Sequence, residues 1–333
     1  MTRSRPTLTA GVAAVGALAL LALLPHVLGR KLSPAFAALA NGDRTWLALG
    51  FVGFAVAFVC GVGAWRAAFA AAGARLCPRQ AAARIGVGAL VNSVAPARLG
   101  DAVKVALLSR VSDAPGRLWL GGGVYAALAV ARTLALASVF VAASATGALP
   151  LWPAFGLCGV ACALVAAGAA SQRFRSHPRV AQTLAGMTAL VRDPRRAASV
   201  VAWSYGVQLT RLAATIAVAR GLHVPDPALA ALVIVPALDA ASALPLTPGS
   251  FGIGSGAVAV ALASRGIGIT QALGVGLAIQ TLETMVSIVA GSSGALYLAW
   301  ADARVRRWAI RGAVLGASTA LALAVGALWF DLF

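Results

Sequence analysis

Residues 91–110 read VNSVAPARLGDAVKVALLSR, and residues 236–256 read PALDAASALPLTPGSFGIGSG. Each stretch breaks a long apolar region with proline and glycine, and each carries charge: Arg98, Asp101 and Lys104 in the first, Asp239 in the second. Proline inside a helix removes a hydrogen bond and clashes with the preceding turn, so neither stretch can be one straight helix. The surroundings are those of a membrane protein. Sixty per cent of the 333 residues are hydrophobic, 11% are charged, and the mean hydropathy is +0.88. Broken backbone survives in a bilayer only where protein buries it or where it lines a wet cavity. Ionisable residues beside such a break mark a functional site by default.

Working outward, apolar windows of spanning length predict long helices at about 8–28, 46–66, 118–145, 152–170, 199–219, 270–300 and 312–330. The two broken stretches, roughly 85–109 and 228–265, fall between them as re-entrant hairpins or paired short spans. The expected fold is therefore all-α and polytopic, one transmembrane domain over residues 1–333, with about seven long helices and two broken hairpins. The segment 8–28 follows the basic start MTRSRP, and its apolar run exceeds that of a signal peptide, so a retained anchor helix is expected.

Arginine and lysine orient the chain. Of 27 basic residues, 18 lie in loops on one side and 5 on the other, while Arg98, Lys104, Arg132 and Arg211 sit at or near membrane depth. This bias predicts a multi-pass membrane protein with a cytoplasmic N-terminus and an external C-terminus. The same parity suggests repeat halves at 46–170 and 199–331, with the same order and inverted orientation, joined by a basic cytoplasmic linker at 171–198. Inverted repeats with interrupted helices are a recurring plan of secondary transporters, whose site lies at the repeat interface.

The net charge of +18 admits a nucleic-acid partner, but the basic residues lie in loops between apolar spans, which suits a membrane surface and excludes a nucleic-acid groove. Cys60, Cys77, Cys158 and Cys162 lack metal-ligand spacing, and Cys158 with Cys162 reads as small residues in helix packing. No metal and no cofactor are expected. The Gly252–Gly256 and Gly274–Gly276 pairs follow no strand, and no GxxxxGK[ST] loop is present, so neither nucleotide motif applies.

Three constellations carry chemistry. In the first, Arg98, Asp101 and Lys104 fall three apart on neighbouring helix faces, with Asn92 before them, Pro96 starting the arm and Gly100 permitting close approach. Guanidinium beside a helix N-terminus seats a phosphate; a self-neutralised anchor is the bland alternative. In the second, Pro245, Pro248, Gly249 and Gly252 shape the hairpin backbone, with Thr247 and Ser250 to satisfy it. Asp239 there needs a partner from elsewhere, Arg211 or Arg132, because an unpaired carboxylate at depth is costly. The third is a stripe of Gly276, Gln280, Glu283 and Ser287 on one helix face. Glu283, the only Glu, either carries a proton or pairs with Arg132 as a strut.

The run N-x-x-x-P-x-R-x-G-D-x-x-K from Asn92 to Lys104, Arg132 on the next helix, and P-L-T-P-G-S-F-G-I-G from Pro245 to Gly254 resemble the lysylphosphatidylglycerol synthase transmembrane region, or flippase-like domain, over roughly residues 10–300. The resemblance implies a bacterial inner-membrane protein that moves an anionic phospholipid or a polyprenyl-phosphate-linked lipid between leaflets; the expectation is a translocase working by alternating access, and not an enzyme. It carries over Asn92, Pro96, Arg98, Gly100, Asp101, Lys104, Arg132, Pro248 and Gly249; Arg211, Asp239 and Glu283 join them as substrate-binding candidates from the residue reading. Lys104 stands where the family often has Arg, and Ser255 and Gly256 where it often has an acid. No aminoacyl-transferase domain is expected, so synthesis of the lysyl lipid is not implied. A membrane enzyme acting on a lipid-linked substrate and a non-transporting envelope scaffold are the competing readings.

Overall fold

The computed structural model describes residues 42–94, 99–111, 116–170, 177–243 and 253–301. The described residues form ten helices and no strand: α1 (Arg44–Ala71), α2 (Pro78–Val94), α3 (Leu99–Ser109), α4 (Arg117–Ala145), α5 (Trp152–Ala170), α6 (Pro178–Arg192), α7 (Pro194–Gly221), α8 (Pro227–Ala243), α9 (Ile253–Ala263) and α10 (Ile269–Ala301). The expected spans at 8–28 and 312–330 lie outside the described residues, as do Pro96, Arg98, Pro245, Pro248, Gly249 and Gly252.

Four of the described helices, α1, α4, α5 and α10, are long and apolar enough to cross a bilayer. The expected span at 199–219 does form a helix, within α7, but is not among these four. Its 28 residues give a length of ~42 Å, so polarity is the reason: Ser204, Gln208 and Arg211 line an internal cavity. The linker at 171–198 also departs from expectation, since residues 178–192 form α6, which packs against α4 at Gly123 and Gly186. Cys158 and Cys162 are exposed on α5, so they do not serve the helix packing expected of them.

Both broken stretches are helical hairpins. The arms α2 and α8 have 17 residues each, and α3 and α9 have 11 each. An 11-residue helix covers only ~17 Å, short of the ~30 Å hydrocarbon core. Helix lengths recur in order: 28, 17, 11 and 29 residues in α1–α4, then 28, 17, 11 and 33 in α7–α10.

The first members of the two series, α1 and α7, pack along each other and run antiparallel. Trp46 lies at Gly221, Gly50 at Val218, Gly53 at Ala214, Cys60 at Gly206 and Gly63 at Trp203. Small residues make this contact because helix association in lipid depends on close van der Waals packing. At Gly53 an added Cβ would lie 2.8 Å from Ala214 Cβ and 3.1 Å from its Cα, so only glycine fits there. Both ends of the pair are tied. Asp43 N–H donates to the Gly221 carbonyl at 2.9 Å, and Arg196 Nη1 donates to the Ala70 carbonyl. Asp43 and Asp193 cap the two helices by accepting from Thr45 N and Arg196 N.

Around this pair lie two separate apolar cores. One joins Trp65, Phe69, Ile85, Leu108, Val124 and Leu128 of the first series with Val200. The other joins Ile234, Leu238, Val258, Leu262, Val275 and Ile279 of the second with Phe54 and Val218. α1 and α7 contribute to both. Large apolar side chains such as Val59, Phe155 and Val289 point outward and are mostly exposed, as a lipid-facing surface requires.

Candidate functional site

Between the two cores lies a cavity of about 530 Å³. Among the described residues, six charged side chains line it: Asp101 and Lys104 from α3, Arg132 from α4, Arg211 from α7, Asp239 from α8 and Glu283 from α10. Three are acids and three are bases. Both hairpins thus deliver their charges to one space, although Asp101 and Glu283 are far apart in sequence.

Asp101 is the hub of the first cluster. Its Oδ1 accepts from Lys104 Nζ at 2.7 Å and from Asn92 Nδ2 at 3.1 Å, and its Oδ2 accepts from the Tyr125 hydroxyl at 3.1 Å. Asp101 sits in the first turn of α3, where a carboxylate is favoured by the helix dipole. Gly100 is buried against its own hairpin: a Cβ there would collide with the Gly88 carbonyl and the Asn92 side chain. The glycine therefore lets α3 fold back closely enough for Asn92 to reach Asp101. Gly254, the second residue of α9 as Gly100 is of α3, is held as tightly, against the Gln280 side chain.

Arg132 lies with its guanidinium carbon 5.7 Å from the centre of the Trp65 ring, a cation–π distance. Trp65 is fully buried and stacks on Tyr125 with centroids 5.6 Å apart. The aromatic pair thereby holds Arg132 and the Asp101 hydrogen bond in one arrangement.

The second cluster is built on Arg211. Its Nη1 donates to Asp239 Oδ1 at 2.8 Å and its Nε donates to Glu283 Oε1 at 3.3 Å. Asp239 thus has the partner it was expected to need, and of the two candidates it is Arg211. Glu283 is bridged to Arg211 too, rather than to Arg132 as one sequence reading had it. The two clusters differ in balance: Asp101, Lys104 and Arg132 carry a net +1, whereas Arg211, Asp239 and Glu283 carry a net −1.

The polar stripe on α10 divides. Glu283 and Ser287 reach the cavity, while Gly276 packs against Ser255 and Gln280 against Gly254. Ser255, standing where the resembling family often has an acid, is buried in that contact. Sequence reading passed over Trp65, Tyr125, Ser204 and Gln208, all of which line the cavity. Gln208 is 7% exposed, and its Oε1 is a buried acceptor without a hydrogen-bond partner among the described residues. Ser204, Gln208 and Arg211 recur at steps of four and three. That one-face pattern was readable by the rule that found the α10 stripe.

Over residues 8–291 the sequence matches the family described as the lysylphosphatidylglycerol synthase TM region. No curated protein matches it. The match and the four apolar helices of spanning length make the chain a multi-pass membrane protein.

Proposed function

The chain belongs to the lysylphosphatidylglycerol synthase transmembrane-region family, and from that membership and the cavity we propose that it is a lipid translocase for an anionic phospholipid or a polyprenyl-phosphate-linked lipid. One observation carries the reading: a charged cavity lies where two helix series of matching lengths meet, fed by both short-armed hairpins. A headgroup phosphate would engage Lys104, Arg132 and Arg211, with Asn92 and Asp101 positioning Lys104. Gln208 Oε1 would accept from a headgroup hydroxyl, and the hydrocarbon chains would stay in lipid. Guanidinium groups suit this task because they meet phosphate oxygens in pairs.

The reading includes an inverted repeat, with halves at 46–170 and 199–331, that exposes the cavity to each leaflet in turn. The antiparallel run of α1 against α7 supports it. It also includes a bacterial inner-membrane location, which follows the family membership, with the N-terminus cytoplasmic, an orientation supported by the 18-to-5 bias of basic residues. Transport, and not catalysis, is the proposed activity.

The test is leaflet exchange in reconstituted vesicles, using fluorescent phosphatidylglycerol, a fluorescent polyprenyl phosphate and fluorescent phosphatidylcholine. Exchange of an anionic probe well above empty vesicles is expected, with little for phosphatidylcholine. Arg132→Met should reduce it at least tenfold while the protein still inserts. Exchange no faster than in empty vesicles for both anionic probes, or an unaffected Arg132→Met variant, would refute the reading.

A further inference from the structure

We infer that each anionic headgroup crosses together with one proton, and that Glu283 is the group that takes that proton. The inference rests on the translocase reading and adds its energy coupling.

Among the described residues, the cavity lining holds three carboxylates and three cationic side chains. A phosphate brought into it adds negative charge to that even balance of described side chains. Leaving that charge uncompensated at membrane depth is costly, so a balancing positive charge must enter or a carboxylate must be neutralised.

The three carboxylates are not equally able to respond. Asp101 is held by three donors, Lys104, Asn92 and Tyr125. Asp239 holds Arg211 at 2.8 Å with its side chain 19% exposed. Glu283 has the longest of these ion pairs, 3.3 Å, and the most exposed side chain, 34%. Its Oε2 has no hydrogen-bond partner among the described residues. When phosphate oxygens take the Arg211 guanidinium, Glu283 is therefore the carboxylate that lets go. Released beside Asp239, it is left without its cationic partner and with a second carboxylate as neighbour.

The groups facing Glu283 across the cavity are Arg211 on α7, Asp239 on α8, Asp101 and Lys104 on α3, and Tyr125 and Arg132 on α4. The linings from α1 and α2 are apolar or aromatic, such as Phe58 and Ile85, with no titratable side chain, and α9 contributes no lining residue among those described. Protonated, Glu283 restores the cavity's balance for a headgroup of one negative charge, and the occupied cavity can reorient. Unloading of the phosphate returns Arg211 to Glu283, which releases the proton on the same side.

The experiment uses the full chain in phosphatidylcholine vesicles with trace fluorescent phosphatidylglycerol and a trapped pH dye. A pH difference of about one unit should drive the label to the alkaline-side leaflet by about tenfold for one proton per lipid, and reversing the gradient should reverse the asymmetry. The dye should report proton movement that depends on the lipid. Glu283→Gln should bring the label to equal leaflets whatever the gradient, and Asp226→Asn, at an exposed carboxylate outside the cavity, should keep the asymmetry. Should Glu283→Gln not insert, Glu283→Asp serves, with asymmetry retained and its pH dependence displaced. Wild-type exchange that ignores the gradient overturns the coupling alone. Asymmetry that persists in Glu283→Gln, or that is lost in Asp226→Asn, overturns the assignment to Glu283. No exchange under any gradient overturns the translocase reading and this inference with it.

Discussion

Removing the Arg211 charge should unbalance the protein more than any other single change in the cavity. Arg211→Met keeps much of the side-chain volume but strands Asp239 and Glu283, which lose partners at 2.8 and 3.3 Å. Breaking a buried pair from one side typically costs about 3–5 kcal/mol, because the remaining charge is left without compensation. Arg211 is only 18% exposed in its side chain, as is Asp239 at 19%, so that range applies to them. Glu283 at 34% is better solvated and adds less. We therefore expect a loss of about 3–4 kcal/mol for Arg211→Met. Neutralising the acids as well, in Arg211→Met/Asp239→Asn/Glu283→Gln, removes the stranded charges and should recover stability to within about 1 kcal/mol of wild type. The assay is reversible unfolding in mixed micelles, followed by tryptophan fluorescence. A loss below about 1 kcal/mol for the single variant, or a triple variant no more stable than the single, would refute the account of Arg211 as the shared counter-ion.

Two further predictions test the scaffold. A Cβ at Gly206 would lie 3.6 Å from Cys60 Cβ, within the ~3.5–4.5 Å spacing of disulfides; Gly206→Cys should cross-link to Cys60 on oxidation, seen as a gel shift that reduction or Cys60→Ser abolishes. At Gly53 the space is closed by Ala214, whereas at Gly122 nothing lies within 4 Å. Gly53→Leu should destabilise by about 1–3 kcal/mol and Gly122→Ala should be neutral or stabilising by up to about 1 kcal/mol, both measured by the same micelle unfolding; equal effects would contradict the α1–α7 packing.

Much of the secondary structure was legible because proline and glycine punctuate it. The breaks after Val94 and after Ala243 follow from Pro96, Pro245 and Pro248, and the apolar windows place α1, α4, α5 and α10. The helix in the 171–198 linker was not legible, since its basic residues outweigh the short apolar face that packs on α4. α7 differs, since the helix expected at 199–219 is present, but hydropathy reads a sum over the whole helix and cannot separate a lipid face from a face that lines a cavity.

The charged residues of the site were legible individually, as six ionisable groups at membrane depth. Their pairing was not. Helical spacing relates residues a turn apart, which suffices for Lys104 and Asp101 at i and i+3. It says nothing of Arg211, whose partners stand 28 and 72 residues away. Nor could it reveal that Trp65 would sit under Arg132, since an aromatic on an apolar helix reads as core.

Composition and pattern alone determined that this chain lives in a bilayer, where its backbone must break, and which side chains needed an explanation at that depth. Those conclusions follow from solvation and local sterics, which act residue by residue. Tertiary structure alone decided that the two hairpins share one cavity, that one arginine serves two acids, and that the two charge clusters differ in sign. Such pairings depend on which helix faces meet, and here that is set by close contacts such as Gly53 on Ala214 and Gly100 on Gly88.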